Sequence, residues 1–115
     1  MSKLIAMAIP ILPGKVDEWR SFVTELQGAR NKDFVASRKR MKVRERTFYQ
    51  HTPNIDLVVV TLEGENPEAA FAQFGAANDE FTKWFVDRVK AVHGFDLTQP
   101  PPGPPPELIT DTGAL

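Results

Sequence analysis

The side chains best suited to binding or chemistry lie in two adjacent segments, residues 43–51 and 56–63. Both segments have the period of two that is typical of β-strands, and the loop TPNI between them predicts an antiparallel hairpin. With a four-residue loop, His51 pairs with Asp56, and each strand presents two chemically different faces. One face then collects guanidinium, amide, hydroxyl, carboxylate and aromatic groups. Its residues are Arg44, Arg46, Phe48, Gln50, Thr61 and Glu63.

This mixed face predicts a binding site for a small organic molecule. Ligand pockets are largely apolar and contain a few convergent polar groups. Arginine suits an anionic or carbonyl oxygen, so an aromatic or polyketide-like molecule is the expected ligand, contacted by all six residues. The alternative is that Arg44 and Glu63, directly opposite each other, form an exposed ion pair worth well under ~1 kcal/mol on ordinary surface. A register shift of one residue would also exchange the two faces.

Three residues are candidates for catalysis. Arg46 would stabilise an oxyanion, and Tyr49 or His51, near the end of the hairpin, would move a proton. A contact between His51 and Asp56 would orient the imidazole for acid or base chemistry. The alternative for His51 is polar surface beside a turn, and the sequence leaves open whether the protein is an enzyme.

Several kinds of chemistry lack their usual residues. The chain has no cysteine, which excludes disulfides, thiolate metal sites and cysteine nucleophiles. It has no glycine-rich phosphate loop, HExxH motif or nucleophile elbow, and we expect neither a metal nor a cofactor. The formal net charge of -1 gives no basic excess for nucleic acid. The basic cluster, residues 38–40, is therefore expected to be a solvated helix end.

The other segments predict the elements that position these groups. Residues 3–12 are an apolar strand, and helical spacing begins at Val16. Three asparagines are expected to cap the starts of helices, and the helix that follows the last of them is expected to stop at Gly94. These asparagines are Asn31, Asn66 and Asn78. Residues 95–98 predict a short fourth strand, and residues 100–106 predict a polyproline spacer.

This order of elements predicts an α+β, ferredoxin-like βαββαβ sandwich: an antiparallel four-stranded sheet with helices on one face. The bare apolar face is an association surface, and a second copy closes it most simply. Over residues 3–98, in element order and length, the chain resembles the dimeric α/β barrel superfamily. That superfamily includes cofactor-free antibiotic-biosynthesis monooxygenases, haem-degrading enzymes and muconolactone isomerases. The resemblance implies two sheets packed face to face, and a cofactor-independent monooxygenase or isomerase.

Length and composition predict one ferredoxin-like domain, residues 1–98, and a proline-rich tail, residues 99–115. The apolar run at residues 4–12 is too short to span a bilayer, so we expect a cytoplasmic protein with no membrane partner. We also expect a homodimer, and no nucleic-acid partner. An alternative function is a non-catalytic assembly or regulatory module whose tail docks on a partner subunit.

Overall fold

Within residues 2–101 and 103–115, which the computed structural model describes, the chain forms three strands and four helices. Met1, at the start of the predicted domain, and Pro102, within the predicted spacer, lie outside the described residues. The elements in chain order are β1 (Lys3–Pro10), α1 (Val16–Gln27), α2 (Asn31–Arg40), β2 (Val43–His51), β3 (Asp56–Gly64), α3 (Ala69–Ala76) and α4 (Glu80–His93).

The sheet is antiparallel, in the order β1-β3-β2. β2 and β3 form the predicted hairpin, in the predicted register, with His51 opposite Asp56. The backbone N–H of Thr52 donates to the carbonyl of Ile55 at 3.2 Å, and the Ile55 N–H donates to Thr52 Oγ1 at 3.0 Å. These bonds close the four-residue loop, which fixes the register of the whole hairpin.

One face of the sheet packs against the helices. Val58 and Leu62 of β3 are buried there, and β1 places Ile5 opposite Leu62 and Met7 opposite Val60 on the same face. The helices bring a cluster of aromatic rings to this core. Its buried members are Trp19, Phe22, Phe74, Phe81 and Phe85. The face of the hairpin opposite the predicted ligand-binding residues is therefore the one that meets the helices.

The predicted fourth strand at residues 95–98 is wrong: within the described ranges the sheet has three strands. The Asp96 carboxylate accepts hydrogen bonds from the backbone N–H of Thr98, at 2.8 Å, and from its hydroxyl, at 2.6 Å. The Gln99 N–H donates to the Asp96 carbonyl at 3.1 Å. This is the local turn that aspartate favours, and it replaces the extended conformation that the apolar residues suggest.

The three predicted asparagine caps are corrected. α3 begins at Ala69, and its N-cap is Glu68 instead of Asn66. Asn31 is the first residue of α2, and its Nδ2 donates to the carbonyl of Leu26 at 3.1 Å, which satisfies the end of α1. The N-cap of α4 is Asp79, not Asn78, since Asp79 Oδ2 accepts from the Thr82 N–H at 3.0 Å. Hydrogen bonding from Thr82 lowers the pKa of Asp79. The predicted stop is confirmed, because Gly94 is left-handed with φ 81°.

The predicted solvated basic cluster is wrong at Arg38, which lies in the core with 7% of its side chain exposed. Its Nε donates to Glu45 Oε1 at 2.7 Å, and the Glu45 side chain is only 10% exposed. The guanidinium carbon lies 4.5 Å from the ring centre of Phe85 and 4.8 Å from that of Phe34. Arg38 is buried because Glu45 points inward from β2, and a buried carboxylate requires a cationic partner.

Within residues 2–101 and 103–115, no helix combines the length and the apolar character needed to cross a membrane.

Candidate functional site

The second face of the sheet points away from the helices; we call it the open face. It is formed by alternate residues of the three strands. They are Leu4, Ala6 and Ala8 of β1, Leu57, Val59, Thr61 and Glu63 of β3, and Arg44, Arg46, Phe48 and Gln50 of β2. All six predicted ligand-binding residues lie on this face. The regular register puts them there, because successive side chains of a strand alternate between faces.

The middle row of the open face contains a buried polar atom. Ala6, Thr61 and Arg46 lie side by side across the three strands. The Oγ1 atom of Thr61 is buried and has no hydrogen-bond partner in the part of the chain that the structure describes. A buried hydroxyl without a partner costs about 1–3 kcal/mol. Rotation of the Thr61 side chain toward the open face would let a polar atom from outside the chain accept this hydrogen.

An ion pair lies beside this hydroxyl. Arg46 Nη2 is 3.4 Å from Glu63 Oε1, and both side chains are between one third and one half exposed. The alternative pair expected from the sequence, Arg44 with Glu63, does not form between these described residues, although the two are directly opposite. The long Arg46 side chain instead reaches the diagonal neighbour. Such a partly exposed pair is weak, so an anionic group can compete with Glu63 for Arg46.

The next row of the open face is apolar. Phe48, Val59 and Ala8 are neighbours across the strands, and Phe48 is 56% exposed. Leu4, at the other end of the face, is also exposed. The two alanines of β1 leave space above the sheet where larger side chains would fill it. A flat apolar strip therefore lies next to the polar row, the combination that binds amphipathic ligands.

The three candidate catalytic residues are divided between the two faces. Tyr49 stacks on Trp19, with ring centres 5.3 Å apart, and the Arg20 guanidinium carbon lies 4.8 Å from the Tyr49 ring centre. Tyr49 therefore packs on the helical side and is not adjacent to Arg46. This agrees with the predicted register, in which residues 46 and 49 have opposite parity and lie on opposite faces. The catalytic roles of Arg46, Tyr49 and His51 stay predictions.

The expected contact of His51 with Asp56 is present, with 2.6 Å between Nδ1 and Oδ1. His51 is 74% exposed at the end of the hairpin, on the same side of the strand as Tyr49. The contact orients the imidazole, but nothing in the described chain encloses it. His51 is thus a rim residue, outside the row formed by Thr61 and Arg46.

The hairpin register alone places Leu57 and Val59 on the open face, as it does the polar residues. Leu4 is found only when the pairing of β1 with β3 is added. His93 is the last residue of α4. Its Nδ1 lies 2.8 Å from the Pro10 carbonyl oxygen, and burial lowers the pKa of His93.

Two shallow grooves, of about 490 and 430 Å³, lie on the helical side and share Asn78, Lys83 and Asp87. They contain none of the predicted site residues. In the described residues, no group of three or more histidine or carboxylate side chains is placed to hold a metal ion.

Comparisons with models of known protein families, with curated proteins and with solved structures find no match to this chain. The resemblance to dimeric α/β barrel proteins therefore stays a prediction.

Proposed function

We propose that the protein is a homodimer that binds a small organic molecule between two open faces. The proposal includes a ferredoxin-like arrangement with a fourth strand beside β1, and the dimeric α/β barrel that follows from face-to-face packing. The strand order β1-β3-β2 supports it, because it leaves the outer side of β1 available for a fourth strand. The exposed Phe48 and Leu4 support it too, since apolar surface of this kind favours association. The proposal also places the protein in the cytoplasm, with which a chain that needs no disulfide is compatible.

The observation that carries the proposal is the buried, unpartnered hydroxyl of Thr61 beside the Arg46–Glu63 pair. Buried polar atoms in native proteins are nearly always hydrogen-bonded. A ligand oxygen placed over Thr61 would accept its hydrogen and would also lie within reach of the Arg46 guanidinium. The adjacent row of Phe48 and Val59 would cover an aromatic ring.

The ligand class follows from these neighbours. Arg46 suits a carboxylate, phenolate or ketone oxygen, and charge-assisted bonds of this type are stronger than neutral ones. The Glu63 carboxylate suits a ligand hydroxyl that donates a hydrogen bond to it. An aromatic acid, quinol or polyketide-like molecule has both groups on an apolar ring. If the protein is an enzyme, Arg46 stabilises an enolate or phenolate oxyanion, as a cofactor-independent oxygenase or isomerase requires. Tyr49 and His51 then act only from the rim of the site.

The test is a thermal-shift screen of aromatic acids and quinols against the full chain and two variants. Thr61→Val removes the hydroxyl at constant volume, and we expect it to weaken binding roughly five- to tenfold while leaving the free protein equally or more stable. Arg46→Met should abolish the shift given by carboxylates. The matched control is Thr47→Val, on the opposite face of β2. A broad panel in which no compound raises the melting temperature would contradict the proposal.

A second function is favoured by a different observation. Residues 103–115 contain neither helix nor strand and are exposed, including Leu108 and Ile109. A non-catalytic assembly or regulatory module would use this tail to dock on a partner subunit. In that case truncation after Thr98 dissociates the assembly, and Arg46→Met changes no ligand response.

A further inference from the structure

The outer side of β1 is a free sheet edge. β1 pairs with β3 alone, over Lys3–Pro10. Within residues 2–101 and 103–115 no backbone–backbone hydrogen bond is made on its other side, although the Pro10 carbonyl at its end contacts the His93 side chain. In an antiparallel edge strand, every second residue directs both its N–H and its C=O outward. Such a row of unpaired groups is a template for another strand.

The two edges of this sheet differ in composition. Native proteins protect free edges with charged side chains and prolines. β2, at the other edge, has the charged run Arg44, Glu45 and Arg46. β1 has Lys3 and Pro10 only at its two ends, and all six residues between them, LIAMAI, are apolar. β1 is therefore the edge that accepts a strand.

The tail contains a segment suited to that edge, ELITD at residues 107–111. It is neither helix nor strand and is exposed, with Leu108 and Ile109 exposed by 70% and 79%. Isoleucine and threonine are β-branched and favour strands. In a strand, Leu108 and Thr110 would occupy one face and Ile109 the other. This segment therefore has the length, the propensity and the unburied apolar side chains of a missing strand.

The spacer before this segment is long enough to carry it to a second copy. Residues 100–106 consist of six prolines and Gly103, and an extended spacer of this kind spans about 20 Å. It starts from the turn at Asp96–Thr98, where the Thr98 carbonyl lies against Gly75 of the helical layer. Prolines lack the N–H needed to join a sheet. The segment leaves its own β1 unpaired, although that edge belongs to the same chain.

We propose that residues 107–111 of each subunit add to the outer edge of β1 in a second copy of the chain. The exchange is reciprocal, as a two-fold dimer requires, and it gives each sheet its fourth strand. The inference rests on the homodimer proposed above, but it is independent of the ligand.

Cross-linking tests the contact directly, because the chain has no cysteine of its own. Two populations of full-length chain, one with an affinity tag, are mixed and refolded together. One carries Ala6→Cys or Ala8→Cys on β1, and the other carries Leu108→Cys or Ile109→Cys. We expect a disulfide between tagged and untagged chains for at least one combination. Lys32→Cys, exposed on α2, is the control, and cross-linking no better than this control overturns the proposal.

Sedimentation measures the energetic contribution of the segment. Ile109→Pro removes a backbone donor within it and should weaken the dimer roughly ten- to a hundredfold. The matched control is Thr112→Pro, beyond the segment, where the Asp111–Gly113 turn accepts proline. This variant should dimerise normally.

The outcomes separate the two proposals. If Ile109→Pro and Thr112→Pro both dimerise like the parent chain, while Phe48→Arg on the open face dissociates it, the strand exchange is wrong and the face-to-face dimer stands. A parent chain that remains monomeric up to high micromolar concentration contradicts both. Weakening by Ile109→Pro alone, together with the cross-link between chains, supports the exchange.

Discussion

The buried pair of Arg38 and Glu45 gives the strongest prediction about stability. Arg38 Nε lies 2.7 Å from Glu45 Oε1, and the side chains are almost completely buried. Arg38 Nη1 also donates to Ser37 Oγ at 2.9 Å. The guanidinium lies among the rings of Phe34, Phe74 and Phe85. Glu45→Leu keeps a side chain of similar size but leaves this cation in the core without its carboxylate.

The free energy of unfolding that Glu45→Leu is expected to lose is large compared with the total stability of a domain. Removing one partner of a buried ion pair destabilises a protein by about 3–5 kcal/mol, whereas a whole domain has about 5–15 kcal/mol. The aromatic faces retain part of the cation's stabilisation, at about 0.5–2 kcal/mol for a cation–π contact, so the lower half of the range is expected. Arg38→Met should cost a similar amount, because it leaves the carboxylate unpaired.

The assay is urea unfolding followed by circular dichroism. With a urea m value of about 1.5–2 kcal/mol/M, a loss of 3 kcal/mol lowers the midpoint by about 1.5–2 M. The double variant Arg38→Met, Glu45→Leu should be more stable than either single variant, since an apolar replacement of a buried pair is often neutral. Lys39→Met, on the exposed side of the same helix, is the control and should stay within about 0.5 kcal/mol.

Two results would refute this reasoning. One is a Glu45→Leu midpoint within about 0.3 M of the parent, a change of about 0.5 kcal/mol, because Arg38 would then not depend on its partner. The other is strict additivity of the two single variants, because residues in direct contact should show a coupling energy of about 0.5–3 kcal/mol.

Two further predictions concern the ends of α4. Asp79→Ala should lower the free energy of unfolding by about 1 kcal/mol, because it removes the cap, while Asn78→Ala should change it little; equal effects in urea unfolding would contradict the assignment of the cap. Burial lowers the pKa of His93 in the fold below the ordinary 6.5. The unfolded chain therefore binds a proton first as the pH falls, and stability declines from about pH 6.5 down to the lowered pKa and then levels off. His93→Gln should remove this decline in pH-dependent thermal unfolding; an unchanged slope counts against it. Carboxylates with lowered pKa values, such as Glu68, lose their contribution only below about pH 4.5.

The hairpin and its faces could be predicted because two independent features of the sequence agree. The four-residue loop between His51 and Asp56 and the period of two in β3 specify the same register. Val58 and Leu62 are buried as that register requires. A local turn and a hydrophobic pattern are both short-range properties, which a sequence contains without knowledge of the fold.

The errors arose where contacts between distant elements decide the outcome. Arg38 has the sequence environment of a solvated helix end, and it is buried because β2 brings Glu45 to the same place. Residues 95–98 have strand-like composition, but the hydrogen bonds of Asp96 override it. The choice of Arg46 over Arg44 as the partner of Glu63 depends on side-chain conformation, which the strand pattern does not specify.

The alternation that builds the open face also limits its chemistry. Tyr49 and His51 cannot join Arg46 within one subunit, because an odd position cannot share a face with an even one in a regular strand. In the proposed dimer, proton transfer beside Arg46 would therefore fall to Glu63, whose carboxylate is 3.4 Å away, or to a group from the second subunit. The proposed site would stabilise and orient an oxyanion more readily than it would abstract a proton. We expect turnover by the proposed enzyme to depend more on Arg46 and Glu63 than on Tyr49 or His51.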